Sequence, residues 1–130
     1  MKLRAATREE RQLALLWGVV VASVLVLRPL WLAVAPLLPA CPFRTITGIP
    51  CPSCGSTHAA VALLSGRPGA ALAANPLAAL AGIVFFAGGL VAPLWAALHW
   101  RVPDVPAPLP RWMRAVVVAA LVANWAWLIV

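Results

Sequence analysis

The chain has 130 residues, 64% of them apolar and only 10% charged, with a formal charge of +7 at neutral pH. A water-soluble domain carries about one quarter charged residues, and one this small leaves much of its surface exposed, so the composition excludes an ordinary soluble fold. The positive charge argues against nucleic-acid binding, because the Lys and Arg residues flank apolar runs instead of gathering on one polar face.

The N-terminal stretch, residues 1–12, holds Lys2, Arg4, Arg8 and Arg11. Residues 13–38 form the first expected transmembrane helix. A helix needs about 20 apolar residues, at roughly 1.5 Å rise each, to cross the hydrocarbon. The run 13–27 is therefore short, and Arg28-Pro29 interrupts it. Either Arg28 reaches the far headgroups while residues 30–38 lie in the interface, or the helix kinks at Pro29 and continues. One span with an irregular outer end is the expectation. The segment also has the layout of a secretory signal, with Ala33-Val34-Ala35 as a cleavage box. Pro36 directly after that box, and the spans that follow, favour an uncleaved anchor.

The second span, residues 76–98, has a marked start, since Asn75 suits an N-cap and Pro76 the first helical position. Ala78, Gly82, Phe86 and Gly89 fall near one face, whose small members allow another helix to approach closely. Pro93 is read as a kink in its last turn. Residues 99–111 contain Pro103, Pro106, Pro108 and Pro110, which favour a stiff extended connector. The third span, residues 112–130, repeats small residues at Ala115, Ala119 and Ala123, a second packing face. Asn124 is read as an interhelical hydrogen-bonding side chain. Trp95, Trp100 and Trp112 mark one interface and Trp125 and Trp127 the other.

Of the 10 Lys and Arg residues, 7 lie before the first span or in and beside the loop 99–111. Arg44 and Arg67 alone belong to residues 39–75, and Arg28 is ambiguous. The positive-inside rule then predicts a multi-pass protein of the cytoplasmic membrane, its N-terminus cytoplasmic and residues 39–75 on the other side.

All 3 cysteines fall in that outer loop, as Cys41-Pro42-Phe43 and Cys51-Pro52-Ser53-Cys54-Gly55-Ser56-Thr57-His58. A helical run from Thr57 to Leu64, closed at Gly66, is too short to cross a bilayer and is expected to be interfacial or re-entrant. Cys51 and Cys54 then sit at its N-terminus, where the helix dipole favours a thiolate. Three readings stay open. One is a structural disulfide among Cys41, Cys51 and Cys54, which an oxidising compartment favours. Another is a redox pair of Cys51 and Cys54. The last is a zinc site of Cys41, Cys51, Cys54 and His58, with His58 four residues after Cys54 on one helix face.

The same residues resemble a bacterial membrane family, domain of unknown function 2752. The match is carried by Cys41-Pro42-Phe43, Thr47-Gly48-Ile49-Pro50-Cys51-Pro52-Ser53-Cys54-Gly55-Ser56-Thr57, Leu63-Leu64-Ser65-Gly66 and Asn75-Pro76-Leu77, across residues 38–98. The resemblance implies a short protein of a few transmembrane helices and implies no activity. This chain departs from the family pattern at His58, where arginine is usual. An anion held by that arginine would be held here only by protonated imidazole. Arginine cannot ligate zinc, so a zinc site would not extend to the family.

The sequence thus predicts an all-α integral membrane protein with three spans and a cysteine loop carrying short helices. Its expected role is that of a non-enzymatic accessory or scaffold protein, with thiol–disulfide exchange and zinc binding as alternatives. The expected partners are the lipid bilayer and other membrane proteins or further copies of the chain, with no nucleic acid and no cofactor other than that zinc. Glu9, Glu10 and Asp104 lie in predicted cytoplasmic segments, which argues against acid–base hydrolysis.

Overall fold

The computed structural model describes residues 3–98, 101–104 and 108–130. Lys2, Trp100 and Pro106, assigned above to the basic N-terminus, the aromatic belt and the connector, lie outside the described residues. In chain order the elements are β1 (Leu3–Ala5), α1 (Arg8–Val26), α2 (Arg28–Val34), a 3-10 turn (Ala35–Leu37), α3 (Pro42–Thr47), α4 (Ser56–Leu64), α5 (Pro68–Ala74), α6 (Pro76–Ala97), β2 (Arg101–Pro103) and α7 (Arg111–Ile129). The protein is all-α apart from a three-residue ribbon in which β1 pairs antiparallel with β2.

Three helical stretches are long and apolar enough to cross a bilayer: Arg28–Thr47, Pro76–Ala97 and Arg111–Ile129. The last two occupy the second and third expected segments. The first region differs from the single helix expected over residues 13–38. Helix α1 begins earlier, at Arg8, and ends at Val26, where Pro29 has no N–H to offer the carbonyl of Leu25. Its first turn carries Arg8, Glu9, Glu10 and Arg11. The apolar stretch that follows is assembled from α2, the 3-10 turn and α3.

The chain divides into two compact units, Met1–Leu27 with Val84–Leu109, and Arg28–Ile83 with Pro110–Val130. In the first, α1 opens with a capping box that the sequence reading passed over. The Thr7 hydroxyl accepts from the Glu10 N–H at 3.2 Å, and the Glu10 carboxylate accepts from the Thr7 N–H at 2.8 Å. Arg4 of the ribbon grips the same carboxylate at 2.5 and 2.9 Å and reaches Asp104 at 3.7 Å. Farther along, α1 packs closely on α6. A side chain on Gly88 or Gly89 would collide with Trp17 or Val21, and one on Gly18 with Pro93.

Hydrogen bonds from Arg4 first, then from the Thr7 N–H, hold the Glu10 carboxyl down at about 2 from its ordinary 4.5. A lowered native pKa contributes stability that is present above 4.5 and fades as pH falls toward 2. Acid titration of the detergent-solubilised protein should therefore lower its melting temperature over that window. Glu10→Gln should flatten this part of the profile, and an unchanged slope would remove Glu10 from the account.

The second unit is built on α4 and α5. Ala59, Ala62, Ala71 and Ala79 form its buried core, with Leu63, Ala74 and Ala78 packed against it. Helix α4 closes with Gly66 at a φ of 72°, its N–H on Leu63 and that of Arg67 on Ala62, which satisfies two end carbonyls. Gly82 of α6 makes room for Leu63, whose Cδ1 lies 2.6 Å from where a side chain would start.

Candidate functional site

The cysteine loop lies wholly within the second unit. Cys41 caps α3, with Pro42 preset for the first helical position. The helix lasts six residues and ends at Gly48 in the left-handed region, so the chain reverses and returns toward its start. The reversal brings the Cys51 sulfur to 3.4 Å from that of Cys41, with the Cys41 thiol donating. The Ser53 hydroxyl stands on the other side of the Cys51 sulfur, also at 3.4 Å. This hydroxyl first, and the Cys41 thiol second, lower the Cys51 pKa from the ordinary thiol range.

Cys51-Pro52-Ser53-Cys54 closes as a turn in which the Cys54 N–H donates to the Cys51 carbonyl at 2.9 Å. No contact of the kind that joins Cys41 to Cys51 joins Cys54 to either sulfur among the described residues. The pairing suggested by spacing is Cys51 with Cys54; the pair of sulfurs the fold brings together is Cys41 with Cys51. All three thiols are free and half-buried.

Three side chains hold the loop backbone at alternate carbonyls. The Trp125 indole donates to the Pro50 carbonyl at 2.8 Å, the Asn124 amide to that of Pro52 at 3.3 Å, and the Asn75 amide to that of Cys54 at 3.0 Å. Each asparagine also caps α6. Asn124 accepts from the Leu77 N–H at 2.9 Å and Asn75 from the Ala78 N–H at 3.0 Å. Both are nearly buried, at 6% and 1% exposure, so every one of these bonds replaces water. Sequence reasoning found Asn75 as a cap and Asn124 as a hydrogen-bonding side chain, but not their grip on the loop. Trp125 was read as an interface anchor, and Ser53 drew no attention. The signal that finds them is chemical: Pro50 and Pro52 leave a loop rich in carbonyls and poor in N–H donors, which needs donors from outside.

Gly55 starts α4 at a φ of 83°, and a side chain there would begin 2.6 Å from the Ala74 carbonyl oxygen. A groove of about 350 Å³ runs past Cys41, Arg44, Cys51, Ser53, Cys54 and His58. His58 and Arg44 are exposed at its rim. Among the described residues no three of His, Cys, Asp and Glu converge as metal ligands. Of the small-residue positions, Ala78 packs on the alanine core, while Ala115, Ala119 and Ala123 are exposed.

Over residues 41–89 the chain is similar to the family described as protein of unknown function (DUF2752). No curated protein and no solved structure matches the chain.

Proposed function

We propose that this membrane chain, with its DUF2752 segment, is a thiol–disulfide exchange protein whose working pair is Cys41 and Cys51. The observation that carries the reading is the 3.4 Å separation of the two sulfurs in a groove. A bond requires them to close to about 2.05 Å. The Cys51 thiolate attacks one sulfur of a partner disulfide and forms a mixed disulfide, releasing the partner's first thiolate. Cys41, giving up its proton, attacks the Cys51 sulfur and releases the partner's second thiolate. Cys41 and Cys51 end oxidised, and the partner gains two electrons and, with water, two protons. The positive-inside distribution supports a cytoplasmic N-terminus and an outer cysteine loop, the side where disulfides persist.

Thiol trapping in intact cells tests this. Cys41→Ser should accumulate mixed disulfides through Cys51, while Cys54→Ser should leave exchange intact. Alkylation of Cys51 should rise with pH through a midpoint below the ordinary thiol range, and Ser53→Ala should move that midpoint up. Permanently reduced, unreactive Cys41 and Cys51 would refute the reading.

An accessory or scaffold role is the second reading. It is favoured by the exposed small-residue face of Ala115, Ala119 and Ala123 on α7. It predicts that the Cys41→Ser and Cys51→Ser variants trap nothing while the chain still recovers the same membrane partners on isolation.

A further inference from the structure

In the second unit the groove past Cys41 and Cys51 does not stop at the sulfurs. A second groove, of about 440 Å³, runs beside α4 and α5 and is lined by Thr57, His58, Val61 and Arg67. Thr57 and His58, in the first turn of α4, line both grooves, so the two adjoin there. Arg44 stands in the first and Arg67 in the second, and both are exposed.

The three acidic residues of the chain, Glu9, Glu10 and Asp104, all belong to the first unit. The second unit therefore carries no acidic side chain, and no ion pair among the described residues involves Arg44 or Arg67. Solvated arginines on a surface are ordinary, and two of them alone would say nothing. These two line the groove of the reacting thiols and the one adjoining it, in a unit with no carboxylate side chain to neutralise them. A molecule approaching Cys51 thus meets a positive potential that no acidic side chain of this unit cancels. Where the grooves adjoin, the exposed Thr57 hydroxyl and His58 imidazole add hydrogen-bonding groups.

We propose that the disulfide reduced by Cys41 and Cys51 belongs to a partner protein and lies in an acidic segment, whose carboxylates pair with Arg44 and Arg67. This rests on the exchange reading and leaves its sulfur chemistry unchanged: the partner disulfide becomes two thiols as Cys41 and Cys51 become oxidised. Arginine suits the task, because its planar guanidinium pairs with a carboxylate through two parallel hydrogen bonds. Complementary charge of this kind selects the partner and speeds encounter more than it tightens binding. An anionic lipid headgroup would satisfy the same arginines, but Arg44 shares its groove with the reacting sulfurs, which favours the molecule that reacts there.

The test uses the full chain in zwitterionic detergent and three synthetic peptides with one disulfide, flanked by aspartate, asparagine or lysine. At low salt the Cys41→Ser variant should form a mixed disulfide with the aspartate peptide about tenfold faster than with the asparagine peptide, and most slowly with the lysine peptide. The differences should shrink in 1 M salt, where charges act over only about 3 Å. Adding Arg44→Gln and Arg67→Gln, both at exposed positions, should bring the aspartate peptide down to the asparagine rate. An aspartate peptide with serine in place of cysteine should bind the unaltered chain about tenfold more tightly than the double arginine variant, read by fluorescence anisotropy. Equal rates for the three peptides would overturn the acidic partner and leave thiol exchange standing. No exchange with any peptide, but arginine-dependent binding of the serine peptide, would remove the exchange reading and keep the acidic recognition. Arginine-dependent retention of phosphatidylglycerol, with no preference among the peptides, would assign the arginines to headgroups and overturn the proposal.

Discussion

Replacing Asn124 with leucine should lower the stability of the detergent-solubilised protein by about 2–4 kcal/mol, with thermal unfolding followed by circular dichroism as the measurement. The side chain joins two elements, accepting from the Leu77 N–H of α6 and donating to the Pro52 carbonyl of the cysteine loop. Interhelical hydrogen bonds in membranes contribute only about 0.6 kcal/mol on average, so the bonds themselves do not explain the expected size. The larger part comes from what remains. Each buried polar group left without a partner costs about 1–3 kcal/mol, and leucine leaves two. The neighbouring Ala123 is exposed, and Ala123→Leu should change stability by no more than about 0.5 kcal/mol. Equal effects at the two positions would mean that bulk on α7, not hydrogen bonding, sets the outcome.

Gly55→Ala should be the most damaging single change in the cysteine loop, at about 3 kcal/mol or more, because two independent costs meet there. An alanine held in the left-handed region costs about 1–2 kcal/mol. Its methyl group would also start 2.6 Å from the Ala74 carbonyl oxygen, a backbone atom at the end of α5. Gly66 separates the two contributions. Its φ is 72°, but nothing lies within 4 Å of a side chain placed on it. Gly66→Ala should therefore show the conformational cost alone, about 1–2 kcal/mol. Melting curves of the two variants side by side give the comparison. Similar losses would show that the contact with Ala74 relaxes freely.

Much of the fold can be read from local rules, because those rules concern residues close in sequence. Asn75-Pro76 marks the start of α6, and Gly66 marks the end of α4, through hydrogen bonds spanning a handful of positions. The membrane character follows from apolar length, which needs no tertiary information. The capping box at Thr7 and Glu10 is equally local, its two bonds spanning three residues. The ribbon was not legible: three residues on each strand carry no periodicity, and their partners lie about a hundred positions apart.

The thiol pair shows where local reading fails. Spacing directs attention to Cys51 and Cys54, because a two-residue gap is familiar from redox and metal sites. What decides proximity is the reversal after α3, which depends on Gly48 and returns Cys51 to the cap of the same helix. The clamps from Asn75, Asn124 and Trp125 are long-range and reach backbone carbonyls, which have no sequence signature beyond the two prolines.

Those clamps also bear on the order of biogenesis. The loop emerges from the ribosome well before α7, yet two of the three donors that secure its carbonyls reside on that later helix. Until α7 inserts, the Pro50 and Pro52 carbonyls must be hydrated, and the cysteines remain open to oxidants and to chaperones. Maturation of the thiol segment is thereby coupled to completion of the topology, so a nascent chain arrested ahead of Pro110 should react with thiol reagents faster than the finished protein.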